Sequence, residues 1–97
     1  MQDYEIMLIT PMDKEDVCRS FIDKISKHIN SIGRLLKTDD WGLKRLAYEI
    51  QGNNKGHYWL LTFSVRKSAD YMGVKELDRL CKIDDCCLRH MIIRKGE

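Results

Sequence analysis

The stretch "KGHYWLLTF", Lys55 to Phe63, decides the fold. Its large residues repeat with a period of two, which is the period of a β-strand. Trp59, Leu61, Phe63 and Val65 share one face, and Tyr58, Leu60, Thr62 and Ser64 share the other. The first set is continuously large and apolar, so it is expected to lie under helices as core. The strand is expected over His57–Val65.

Upstream, "QGNNKG" (Gln51 to Gly56) is rich in residues that tolerate positive φ, and it predicts a hairpin turn. The run from Arg34 to Ile50 has strand character with Gly42 inside it, so one long strand bent at a bulge is expected. "YEIMLI" (Tyr4 to Ile9) is apolar on both sides, as a central strand is, and Thr10-Pro11 ends it. Val17, Phe21, Ile22, Ile25, Ile29 and Ile32 recur at three- and four-residue spacing and predict a helix over Lys14–Ser31. A second helix is expected after Ser68, its N-cap, with Val74, Leu77, Leu80 and Cys81 buried and Gly73 weakening it. A last strand is expected over Cys86–Ile93. The order strand, helix, strand, strand, helix, strand predicts an α+β, ferredoxin-like βαββαβ sandwich. Its four-stranded antiparallel sheet would carry both helices on one face, with the first and third strands central. The 97 residues are expected to form a single domain, 1–97.

This topology is shared with RNA-recognition motifs, whose stacking signature lies on the third strand. That signature asks for a basic residue and glycine, an aromatic, a small residue, an aromatic, an aliphatic, any residue and an aromatic. Aligned on Lys55-Gly56, Trp59 fits. His57 is a weak first ring, Tyr58 takes the small-residue place, and Thr62 stands where the last ring should be. A free-standing RNA-recognition-type module that binds single-stranded RNA is the alternative reading, and this mismatch weighs against it.

Composition narrows the field. No apolar run approaches the ~20 residues of a membrane span, and "MQDYEIMLIT" reads as a strand rather than a signal peptide. Net charge is only +2, with basic residues in "LKRL" and "LRHMIIRKGE". Few phosphate contacts are therefore expected, from a patch built of separated segments. The four cysteines, Cys18, Cys81, Cys86 and Cys87, lack secretory context and zinc-knuckle spacing. Cys86 and Cys87, if on a strand, point to opposite faces. All four are read as reduced thiols acting as small hydrophobes, with no metal site.

At "DWGLKRLAYEI" the chain resembles the bacterial-type small-subunit ribosomal protein S-six family. Asp40, Trp41 and Gly42, then Arg45, Leu46-Ala47-Tyr48 and Ile50 carry the likeness, and "YEIMLI", "GHYWLLTF" and "LRHMIIRK" support it in the same order. The chain departs from the family's pattern at Gln2, where a basic residue is frequent, and at Glu49, where proline is common. The resemblance implies the fold derived above. It also implies a structural constituent of the small ribosomal subunit that binds the central domain of small-subunit ribosomal RNA. Binding would occur as a heterodimer with ribosomal protein S-eighteen, whose charge would supplement the modest +2. An enzyme is not implied, nor a cofactor, a small-molecule substrate or a membrane. The implied location is the cytoplasm, on a bacterial or organellar ribosome.

The expected RNA contacts are Lys44, Arg45, Lys55, Arg89, Arg94 and Lys95, converging on one rim. Trp41 and Tyr48 are the expected partner-binding residues, Trp41 with a competing role as packing at the bend. His57 and His90 are read as surface or edge residues, and no catalytic group is assigned. Acylphosphatases share the topology, but their arginine-bearing phosphate loop is here the acidic "TPMDKED". A small-molecule regulatory domain is a further reading of the same fold.

Overall fold

The alternation in Lys55–Phe63 is realised in a longer strand. The computed structural model describes residues 1–12 and 15–95. Along the chain run β1 (Gln2–Pro11), α1 (Glu15–Ile32), β2 (Gly33–Ile50), β3 (Asn53–Val65), α2 (Asp70–Ile83) and β4 (Arg89–Lys95). The sheet order is β2-β3-β1-β4 with every neighbouring pair antiparallel, so β1 and β3 are central. This is the ferredoxin-like arrangement expected from the element order.

Register explains the core. Tyr4, Ile6 and Leu8 of β1 lie opposite Phe63, Leu61 and Trp59 of β3. Cross-strand partners share a face. Together with Val65 they form one buried cluster with Phe21, Ile22, Ile25, Ile29 and Ile32 of α1 and Leu77 and Cys81 of α2. Val74 and Leu80 pack partly buried against it. Val17, expected in the α1 stripe, is exposed, and Cys18 takes the inward position one residue on. The expected helix start at Lys14 lies outside the described residues.

Several boundaries differ from expectation; β1 runs two residues past each end of the expected Tyr4–Ile9, and β4 ends two residues past Ile93. β3 begins at Asn53, because the turn shrinks to Gln51-Gly52, whose φ values of 50° and 81° are those of a two-residue hairpin turn. α2 begins at Asp70 after a short 3-10 turn, Lys67–Ala69, and Ser68 makes no side-chain cap. β4 starts at Arg89 rather than Cys86. Asp84 stops the strand from starting earlier: its Oδ1 accepts the Cys86 amide at 2.8 Å and its carbonyl accepts the Cys87 amide at 3.0 Å. Gly73 has a packing reason. A Cβ there would stand 2.8 Å from Ile32 Cγ2, so glycine lets α2 approach the end of α1.

The cysteines correct the reading of four free thiols. Cys18 of α1 and Cys86 of the turn before β4 are joined as a disulfide, while Cys81 and Cys87 are free. Cys86 is not on the strand expected for it; the turn instead aims it at α1.

Candidate interaction surface

The bulge expected at Gly42 is present. Register shifts between Asp40 and Gly42, where Gly42 has φ +77°, and the Gly42 amide donates to Asp40 Oδ1 at 2.8 Å. A larger irregularity follows between Arg45 and Ile50. There Leu46 leaves the ladder and is buried with Ile9 and Leu88 in a second apolar cluster, with Ile50 and Tyr58 packed against it. Ile9 and Tyr58 lie directly opposite each other, on the sheet face away from the helices. The outer part of the β2–β3 hairpin therefore folds over one end of that face. Tyr58, open to either reading in the sequence, packs here and is not a free ring for base stacking.

Two cation–aromatic pairs sit on this arm. Lys44 Nζ lies 5.8 Å from the centre of the Trp41 ring, and the Arg89 guanidinium lies 5.2 Å from that of Tyr48. Arg89 also donates to the Tyr48 hydroxyl at 2.6 Å, which ties the arm to the first residue of β4. Trp41 remains 44% exposed and Tyr48 60%, so both rings present surface to a partner. Arg45 and Lys55 face each other across the ladder.

The six expected basic residues do not form one rim. Lys44, Arg45, Lys55 and Arg89 gather at the Pro11 end of the sheet, since Lys44 pairs opposite Gly56 and Arg89 opposite Ile9. Arg94 and Lys95 sit opposite Tyr4 and Asp3, five and six residues further along β4, on the order of 17–20 Å away. Arg94 lies on the helix side, 3.5 Å from Asp70, and Lys95 lies 3.5 Å from Glu5. Their charge is partly answered within the chain.

Across the middle of the same face runs an apolar strip. Leu60, Met7 and Met91 are successive cross-strand partners, and Ile93 follows on edge strand β4. Met91 and Ile93 are exposed.

Neither His57 nor His90 is an open surface group, although His90 does lie on an edge strand. His57 is buried, stacks on Trp59 with ring centres 4.4 Å apart, and is hydrogen-bonded to Asp40. His90 is half-buried on the helix side, its Nε2 2.6 Å from Asp78 Oδ1. Alternation carried both signals, since His57 shares a face with Trp59 and His90 with Ile92. Burial pushes the Asp40 carboxyl up, but the His57 ring, the Gly42 amide and Arg19 outweigh it and hold Asp40 below the ordinary carboxylate range. A depressed carboxylate stabilises the fold above its unfolded pKa, and that contribution is lost as pH falls through the folded value. The melting temperature should therefore fall on acidification below about pH 4, and less steeply in Asp40→Asn. Parallel profiles for the two proteins, recorded by circular dichroism, would show that the pair adds nothing.

The fold and this surface define a class: a ferredoxin-like α+β protein that presents a basic, aromatic arm beside an apolar sheet face. Among the described residues, no helix is long and apolar enough to cross a membrane. The family model "Ribosomal protein S6" matches residues 3–94. The chain belongs to the ribosomal protein S6 family, proteins of the small ribosomal subunit. It is 39% identical over 99 residues to "Small ribosomal subunit protein bS6" of Desulforamulus reducens, covering 100% of both chains. It is 43% identical over 95 residues to the protein so named in Alkaliphilus oremlandii, covering 97% of each. The crystal structure of 30S ribosomal protein S6 from Thermotoga maritima superposes with a TM-score of 0.85 at 24% identity. That superposition covers 97% of this chain and 87% of the other, and it supports the fold.

Proposed function

We propose that this chain, acting as one domain, is a non-catalytic constituent of the bacterial small ribosomal subunit. In this reading it binds the central domain of small-subunit ribosomal RNA together with ribosomal protein S-eighteen, in the cytoplasm. The observation that carries the reading is the clustering of Lys44, Arg45, Lys55 and Arg89 around exposed Trp41 and Tyr48, beside the Leu60–Met7–Met91 strip. The strip and β4 edge supply apolar area for a protein partner, and the arm supplies cations for phosphate. The charge of +2 fits a chain that shares its RNA with a more basic partner.

The test is a titration of a central-domain RNA fragment, with and without S-eighteen, at several salt concentrations. Affinity should be weak for the chain alone and much higher with the partner, and it should fall with salt. Replacing Lys44, Arg45 and Lys55 with alanine should flatten the salt slope by roughly 0.7–0.9 for each phosphate no longer neutralised. Replacing Arg94 and Lys95 should flatten it less, because Asp70 and Glu5 already answer them. Tyr58→Ala should change RNA binding little. Tight, salt-insensitive binding by the isolated chain that collapses on Tyr58→Ala would overturn the reading in favour of an RNA-recognition-type module.

A further inference from the structure

The end of α2, the turn after it and the start of β4 bring together side chains that play no part in the RNA and partner surface. One ligand atom each from Cys81, Cys87 and His90 lies within 4.8 Å of the other two. Cys81 is buried, while Cys87 and His90 are half-buried, so the group has a sealed inner side and a path to solvent. We propose that Cys81, Cys87 and His90 form a zinc-binding site.

The donor set is the first reason. Two thiols and an imidazole are the ligands that a borderline-soft divalent ion prefers, and zinc occurs with two cysteines and one histidine when its fourth position is open. Spacing is the second. Zinc–sulfur bonds of about 2.3 Å and zinc–nitrogen bonds of about 2.0–2.1 Å place tetrahedral ligands roughly 3.3–3.8 Å apart. The trio, within 4.8 Å, stands at most roughly 1.0–1.5 Å wider than that geometry.

The third reason is the carboxylate behind His90. His90 Nε2 is held by Asp78 Oδ1 at 2.6 Å, and Lys82 Nζ fixes the other Asp78 oxygen at 2.9 Å. With Nε2 donating to the carboxylate, Nδ1 carries the lone pair. Ligating histidines are oriented by such a carboxylate, which also makes the ring more basic. On binding, each thiol releases its proton to solvent, two sulfur–zinc bonds and one nitrogen–zinc bond form, and water takes the fourth position. No oxidant or reductant is required.

On a continuous strand, Cys86 and Cys87 would point apart and could not share a metal. In the turn they also point apart: Cys86 reaches Cys18 on α1, and Cys87 turns toward Cys81 on α2. The site is made by Cys87 without Cys86, and the disulfide partner lies outside it.

The test is titration of the full chain, with its thiols kept reduced, by zinc against a competing chelator. Cobalt(II) serves in parallel as the spectroscopic probe. One equivalent of ion is expected per chain, with the intense visible bands of tetrahedral, thiolate-bound cobalt. Cys87→Ser and His90→Gln should each weaken binding at least about a hundredfold, and Asp78→Asn by about 10–100-fold. Cys18→Ser and Cys86→Ser should leave it unchanged. Circular dichroism melts establish that each variant is folded, and His90→Gln, on an edge strand, provides a second route should a cysteine variant misfold. The proposal is overturned if the reduced chain takes up no ion. Binding that survives loss of both Cys87 and His90, or that is abolished by Cys18→Ser, would also overturn it. So would zinc-treated protein in which Cys81 and Cys87 have become a disulfide.

Discussion

Replacing Trp59 with alanine should cost roughly 3–5 kcal/mol of stability. Trp59 is only 9% exposed, lies opposite Leu8 on the helix side of β3, and stacks on buried His57. Its indole N–H donates to the Thr10 hydroxyl at 3.2 Å. Truncation empties one of the largest volumes in the core and strips a buried hydroxyl of a partner. The surrounding groups are held by the sheet and cannot close the gap. A domain of this size has about 5–15 kcal/mol in all, so the variant should melt well over ten degrees below the parent. Urea melts measure the loss. An unchanged midpoint accompanied by lost RNA binding would return Trp59 to the role of a stacking ring.

The disulfide carries the second large effect. Cys18 and Cys86 are 68 positions apart, so the bond restrains most of the chain when it unfolds. Closing a loop of that length stabilises by roughly 4 kcal/mol on loop-closure entropy, the upper end of what disulfides typically contribute, chiefly by limiting the unfolded ensemble. Adding dithiothreitol should lower the melting temperature of the oxidised protein, and Cys18→Ser should abolish the response. Under reducing conditions the two sulfurs would stand as thiols, so the figure compares two forms of the protein. Equal melting with and without reductant would mean that the pair contributes packing alone, which is what the sequence by itself predicts for all four cysteines.

What was readable in the sequence was whatever depends on near neighbours. The β3 alternation, the α1 repeat from Phe21 to Ile32 and the glycine within β2 each report a local backbone preference, and each leads to the right element. Sheet order followed because apolar β1 and β3 had to be central. The errors arise where distant segments meet. "CCLRHMII" looks like a strand throughout, yet Asp84 just before it captures two amides and makes its first part a turn. Only then does Cys86 reach Cys18 on α1 while Cys87 turns toward Cys81 on α2. The basic residues were counted as charges and not as faces. Counting by two along β4 already separates Arg94 from Arg89 and Lys95, whereas the carboxylates that answer Arg94 and Lys95 are visible only in the folded chain. The arm's fold-over, with Leu46 meeting Leu88, leaves no periodic trace.

The place of β1 in the sheet sets the order of events during synthesis. β1 emerges first but lies between β3 and β4, and its Asp3 pairs with Lys95. A chain elongating at about 5–20 residues per second leaves this apolar segment without either neighbour for seconds. The β2–β3 hairpin, joined by two residues, can close within microseconds of emerging. β1 can then add to one side of it, but its other edge stays open until the last strand is released. Completion of the sheet therefore waits for β4, and that pairing, Asp3 with Lys95, closes the longest loop between paired strands among the described residues.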